Sequence, residues 1–197
     1  MPVKQNREYR TMSLVQIKNE EKRIDTDHYV EGYATTYSTP YLLYEIDGVK
    51  YMERIAADAL VGADLSDVIL QYDHTGKVLA RKSNGTLVLD PSDPHGLFVA
   101  ADLSKSAEAR NLFEEIQNGL INGMSWAFVV EKDSYDRATH TRTIEKIRKV
   151  YDVSAVSIPA NSDTNISARS WIDGVIESQN REAVERKRQI IRIICNT

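Results

Sequence analysis

Apolar and polar residues alternate in short bursts along the first half of the chain, the pattern of half-buried strands separated by turns. Ser13 to Lys18 (SLVQIK) alternates and predicts a strand. A charged turn at Asn19–Asp27 leads into Tyr29 to Tyr37 (YVEGYATTY), rich in the Tyr and Thr that suit a pleated backbone. Ser38–Asp47 has no clear period and contains Pro40, whereas Asp47-Gly48 predicts a hairpin turn between Tyr44-Glu45-Ile46 and Val49–Met52. Arg54–Leu60, with Ala56, Ala57 and Ala59, predicts a short helix. Further strands are predicted at Asp67–Tyr72 (DVILQY), Lys77–Arg81 (KVLAR), Thr86–Asp90 (TLVLD) and Leu97–Leu103 (LFVAADL), with Asn84-Gly85 and the PSDPHG loop at Pro91–Gly96 between them.

The period then changes. In Ser104–Gly119, Ala107, Leu112, Ile116 and, just beyond, Leu120 recur at helical spacing; Ser104 or Ser106 can cap the start, and Gly119 or Gly123 can close the end. Met124–Glu131 (MSWAFVVE), Arg142–Val150 and Val153–Ile158 return to strand character, with a polar turn around Asp133–Thr139. Pro159-Ala160-Asn161 ends the sheet, and from Ser167 onward the pattern is helical, with Trp171, Ile172, Val175 and Ile176 as a docking face. The fold class predicted is α+β, mainly β: a closed or nearly closed antiparallel β-barrel with helices outside it. Strands do not alternate with helices, which argues against a doubly wound sheet.

Composition narrows the class. The proportions are those of a globular domain, 42% hydrophobic and 27% charged, and no run of about eighteen apolar residues suggests a membrane span. Met1 to Met12 is polar and lacks the apolar core of a secretory signal, so none is expected. The single cysteine, Cys195, cannot close an internal disulfide, which fits a reducing compartment and argues against Cys/His zinc sites. Net charge is −4 but uneven: residues 178–197 carry +3 and residues 1–11 carry +2, leaving −9 on the body between them. So acidic a body argues against nucleic-acid binding, and the basic ends read as solvated appendages.

Candidate chemistry centres on three positions. His28, His95 and His140 stand in polar or turn contexts and read as surface residues. His74 follows the apolar VILQY run, where an imidazole can be held rigidly as a general base or can serve as a hydrogen-bonded structural group. Ser125, in Gly123-Met124-Ser125-Trp126-Ala127-Phe128, is either a nucleophile backed by a base or a strand-start serine capping backbone. Asp152 interrupts an apolar strand, and an imidazole partner would offset the cost of burying it. Asp73 is less suited to that role, with Glu145 and His140 as fallbacks. The α/β-hydrolase elbow is not met, since Ala127 replaces its second glycine. Walker A, G-x-G-x-x-G, H-E-x-x-H and calcium-loop patterns are absent, and Asp73, His74 and His95 have no spacing that supports a metal. No cofactor is expected.

Several segments together resemble the prohead (capsid maturation) serine proteases of tailed bacteriophages, a family related in fold to the herpesvirus assemblins. They are Glu31-Gly32-Tyr33-Ala34; Glu53-Arg54-Ile55-Ala56 with Ala59-Leu60; Asp67-Val68-Ile69-Leu70 running into Tyr72-Asp73-His74; Gly96-Leu97-Phe98-Val99; Asn118 to Phe128; and Tyr151 to Asn161. They cover about residues 28–168 in order. The resemblance implies a Ser-His-acid endopeptidase on an assemblin-like fold, with Ser125 as nucleophile, His74 as base and Asp152 at a position where the family usually has Glu. It also implies oxyanion donors, for which the loop after Ile158 is the expected source. The implied substrates are the scaffolding region of the major capsid protein and the protease itself, inside the assembling procapsid in the host cytoplasm. A homo-oligomer is implied, a dimer by analogy with the herpesvirus relatives. The expected organisation is a polar leader at 1–12, the protease at 13–168, and a helix and basic tail at 169–197, in which Ile190–Ile194 is apolar enough to suggest burial against a partner. A non-catalytic capsid-assembly module on the same fold is the alternative. Cys195 lies far along the chain from the three positions, which disfavours a cysteine protease.

Overall fold

The structure is a computed structural model and describes residues 7–13, 22–157, 181 and 184–188. The elements run β1 (Glu8–Ser13), β2 (Tyr29–Thr36), β3 (Tyr41–Ile46), β4 (Val49–Ile55), β5 (Ile69–Tyr72), β6 (Thr75–Arg81), β7 (Leu87–Asp90), β8 (Gly96–Asp102), α1 (Ala107–Gln117), β9 (Gly123–Asp136) and β10 (Thr141–Val156). The class is mainly β with one substantial helix, α1, among the described residues. No helix there is long and apolar enough to cross a membrane.

The closed antiparallel barrel is corrected. The strands form two open sheets, one of seven strands (β3-β4-β10-β9-β1, with β5 on β10 and β6 on β5) and one of three (β2-β8-β7). The long strand β10 explains the difference. Its sixteen residues hold β9 antiparallel along one edge, while the other edge takes β4 at Thr141–Ile144 and β5 at Asp152–Ala155, both parallel. Alternation reveals which face a strand buries, not which strand lies beside it, so these parallel pairings were invisible in the pattern.

Local differences have the same origin. The helix expected at Arg54–Leu60 does not form: β4 continues to Ile55, paired with Ile144 of β10, and residues 57–62 are turns. The two strands expected at 142–150 and 153–158 are one strand with bulges, including a register shift between Val150 and Asp152. Residues 8–12, expected within the leader, and Ser13, expected to open the next strand, form one strand paired to β9. Of the strand expected at 13–18, residues 14–18 lie outside the described residues; so do Pro159-Ala160-Asn161, Trp171, Ile172, Val175, Ile176 and Ile190–Ile194. Arg181 and residues 184–188 are helical and exposed.

The core lies between the sheets. Leu97, Val99 and Ala101 of β8 meet Met124, Trp126 and Phe128 of β9 and Ile147, Val150, Val153 and Ala155 of β10 in one cluster. Trp126 stacks on Phe128 at 4.1 Å between ring centroids. Helix α1 closes one side through Ala109 and Leu112, and its first turn is capped by Ser106, whose Oγ accepts from the Ala109 N–H at 3.1 Å. Leu120, expected on the helix's apolar face, falls past the helix end and is 68% exposed. Gly96 opens β8 against Thr35, where a Cβ would stand 1.9 Å from the Thr35 carbonyl oxygen, so no larger residue fits.

Candidate active site

Two backbone irregularities create the site. The first is the turn between β5 and β6. Tyr72 pairs with Thr75, so Asp73 and His74 form a two-residue hairpin loop, with φ of 46° and 56°. Positive φ at both positions is the geometry that Asn-Gly favours and that side-chain-bearing residues adopt at some cost. The turn is tied to β10: the Asp73 N–H donates to the Ala155 carbonyl at 3.0 Å, and the His74 N–H to Ser154 Oγ at 3.2 Å.

The second irregularity is the register shift in β10. Val150 lies opposite Phe128, yet Asp152, not Tyr151, lies opposite Ala127, and Ser154 opposite Ser125. Without that extra residue Val153 would face Ser125. The bulge therefore puts Asp152 and Ser154 on the face of the sheet that carries Ser125. This face is covered, since Ser125 and Ser154 are fully buried (0% exposed) and the Asp152 and His74 side chains are 5% and 8% exposed.

The structure brings His74, Ser125 and Asp152 into one row. His74 Nδ1 stands 2.5 Å from Asp152 Oδ1, and Nε2 stands 2.6 Å from Ser125 Oγ. A carboxylate only accepts, so Nδ1 carries the proton and Nε2 presents its lone pair to the Ser125 hydroxyl. That is the arrangement in which an imidazole can take a proton from a serine while a carboxylate steadies the resulting cation.

The other candidates are engaged elsewhere. Glu145 pairs with Lys132 at 2.7 Å. His140 sits in the β9–β10 turn, with Nδ1 3.0 Å from the Tyr135 hydroxyl. His95 packs on Tyr33 and His28 on Phe113, while Asp73 is exposed in the hairpin turn. Among the described residues no group of three or more His, Cys, Asp or Glu could hold a metal ion. The loop after Ile158, expected to supply oxyanion donors, lies outside the described residues.

Two residues of the site were missed. Ser154 touches both His74 and Asp152, and its spacing of two from Asp152 in a strand was the available signal. Tyr9 of β1 packs its ring edge-on to His74, centroids 4.6 Å apart; nothing in the polar leader marked it.

Strand β1 is anchored by buried charge. Arg10 reaches both carboxylate oxygens of Glu53, Nη2 to Oε2 at 2.7 Å, and also Glu8 at 2.7 Å. Arg142 of β10 donates to Glu8 at 2.6 Å, Glu53 at 3.0 Å and Asp133 at 2.6 Å, and the Tyr41 hydroxyl donates to Glu53 at 2.6 Å. Burial opposes the charged form of Glu8, but the Arg142 hydrogen bond and the two guanidinium charges outweigh it and hold the carboxyl below its usual range. Burial likewise opposes the Arg10 cation, yet the charge of Glu53 raises its pKa well above the ordinary value.

The comparisons bear on what such a site serves. A family model described as caudovirus prohead serine protease matches residues 14–175. The prohead protease of Enterobacteria phage HK97 is 32% identical over 84 residues, which are 42% of this chain and 37% of that protein. The match therefore takes in well under half of the relative's length. No solved structure matches the chain.

Proposed function

Since the chain belongs to the caudovirus prohead serine protease family, we propose that it is a serine endopeptidase of procapsid maturation, working through Ser125, His74 and Asp152. The observation that supports this reading is the unbroken row from Asp152 Oδ1 through the imidazole to Ser125 Oγ, at 2.5 and 2.6 Å. Ser125 Oγ attacks the scissile carbonyl carbon as its proton passes to His74 Nε2. The tetrahedral intermediate collapses, the C–N bond breaks, and Nε2 returns the proton to the leaving amine. Water, deprotonated by the same nitrogen, then attacks the acyl carbon; the ester bond to Oγ breaks, the acid product leaves, and Nε2 returns the proton to Ser125 Oγ. Asp152 holds the tautomer and stabilises the imidazolium throughout.

The proposed substrates are the scaffolding region of the major capsid protein and the chain itself, inside the procapsid in the host cytoplasm, with a homo-oligomer, a dimer by analogy, as the working form. The proposed catalytic unit is residues 13–168 together with the rest of strand β1, with residues 169–197 as an appendage to it.

The complete burial of Ser125 favours a second reading, a non-catalytic assembly module on the same fold. A fluorophosphonate probe separates the two. The protease reading expects one adduct, at Ser125, absent from Ser125→Ala and strongly reduced in His74→Ala. A folded wild-type chain that takes up no probe supports the assembly module instead.

A further inference from the structure

We propose that Ser154 is a positioning residue of this site, whose hydroxyl holds His74 in the tautomer and backbone conformation that serve Ser125. The inference rests on the Ser-His-Asp reading above and adds a fourth side chain to it.

The argument is one of hydrogen-bond capacity. A hydroxyl has one proton to donate and two lone pairs to accept with. Ser154 Oγ has three partners: the His74 backbone N–H at 3.2 Å, His74 Nδ1 at 3.2 Å and Asp152 Oδ1 at 3.1 Å. The N–H can only donate and the carboxylate can only accept. The serine proton therefore goes to Asp152, and Nδ1 must bring its own proton, shared between Asp152 and Ser154. With the proton fixed on Nδ1, Nε2 is left free to accept from Ser125 at 2.6 Å. If Ser154 donated to Nδ1 instead, the proton would sit on Nε2 and the imidazole could not act as a base toward Ser125.

The same hydroxyl supports a backbone conformation that the local sequence does not favour. His74 has φ of 56° in a two-residue turn without glycine. Ser154 and Ala155 receive the amides of His74 and Asp73 in turn, stitching the loop to β10. A serine is the smallest side chain able to make all three contacts at a position that is fully buried and cross-strand from Ser125. A serine kept only to satisfy core polarity would need no such aim at both the ring and the carboxylate.

Replacing Ser154 with Ala in the full chain removes the hydroxyl without adding volume. The expected result is a kcat lowered about ten- to a hundredfold, the factor one hydrogen bond to a charged group carries, with KM little changed. The low-field proton resonance of His74 Nδ1–H, followed in a Ser125→Ala background that prevents self-cleavage, is expected to shift or broaden when Ser154→Ala is added. Unchanged kcat and an unchanged resonance overturn the proposal. If Ser154→Ala fails to fold, Ser154→Thr retains the hydroxyl: a folded, active Thr variant supports the proposal, and a folded, inactive one overturns it. Ser125→Ala, run in parallel, keeps the two readings apart: residual cleavage there removes the serine-protease reading itself, whereas its loss alongside a fully active Ser154→Ala removes only the role of Ser154.

Discussion

Ser125 and Ser154 are cross-strand partners on β9 and β10, and the His74 ring meets both hydroxyls, Nε2 at 2.6 Å from Ser125 and Nδ1 at 3.2 Å from Ser154. One imidazole thus reads two serines through its two nitrogens. Asp152, two residues from Ser154 on the same face, and the Ser154 hydroxyl that donates to it together decide which nitrogen carries the proton.

Asp152→Asn tests that arrangement. An amide has the shape of the carboxylate but can donate to Nδ1, which would favour the Nε2–H tautomer. The expected loss in kcat is about 10³–10⁴-fold, with the variant remaining folded. Steady-state kinetics on a capsid-derived peptide, with circular dichroism as the control for folding, measure it. Activity within tenfold of wild type contradicts the orienting role.

The hairpin turn gives a stability test. Asp73 at φ 46° occupies a region that Asp and Asn tolerate and β-branched residues do not. Asp73→Val is expected to destabilise the protein by about 1–2 kcal/mol and Asp73→Asn to leave it nearly unchanged. Urea denaturation midpoints decide between this geometry and a relaxed turn, for which both variants would behave alike.

Strand β1 is expected to be held by charge as much as by its backbone. Arg10→Ala leaves Glu53, fully buried (0% exposed), short of its main cation, at an expected cost of about 3–5 kcal/mol. For Glu8, whose carboxyl is held below its usual range, the sign follows from linkage. Its stabilising contribution is complete above the ordinary carboxylate range and disappears as pH falls through the folded-state value. The Tm difference between wild type and Glu8→Gln should therefore be largest near neutral pH and shrink toward acid. A difference independent of pH contradicts the charged network.

Tyr9 carries the link from β1 to the site. Loss of its edge contact with the His74 ring is expected to lower kcat about two- to tenfold in Tyr9→Ala. Tyr9→Phe keeps the ring and should stay near wild type. Equal kcat in all three proteins would mean that β1 does not steady the histidine.

Much of the fold was legible because alternation and turn chemistry are local. β2, β7, β8, α1 and the Asp47-Gly48 hairpin stand close to where the pattern places them. Partner choice was not legible, since β4 and β5 reach β10 in parallel from distant parts of the chain. His74, Ser125 and Asp152 each stood out singly, as polar groups at apolar strands, and the family resemblance linked them. Their convergence depends on a bulge at the Val150–Asp152 step and a left-handed turn at Asp73-His74. The bulge appeared in the pattern only as a break between two expected strands. The turn lacks the glycine or asparagine that would have announced it, so Ser154 had no visible reason to face the histidine.

The most direct measurement is intact-mass spectrometry of the chain co-expressed with its major capsid protein. With the wild-type chain, we expect a discrete loss of the scaffolding region from the capsid protein and self-cleavage fragments of the protease. With Ser125→Ala, both proteins should keep their full masses. The same defined fragments from Ser125→Ala, or uncut capsid protein with a folded wild-type chain in assembled procapsids, would contradict the account.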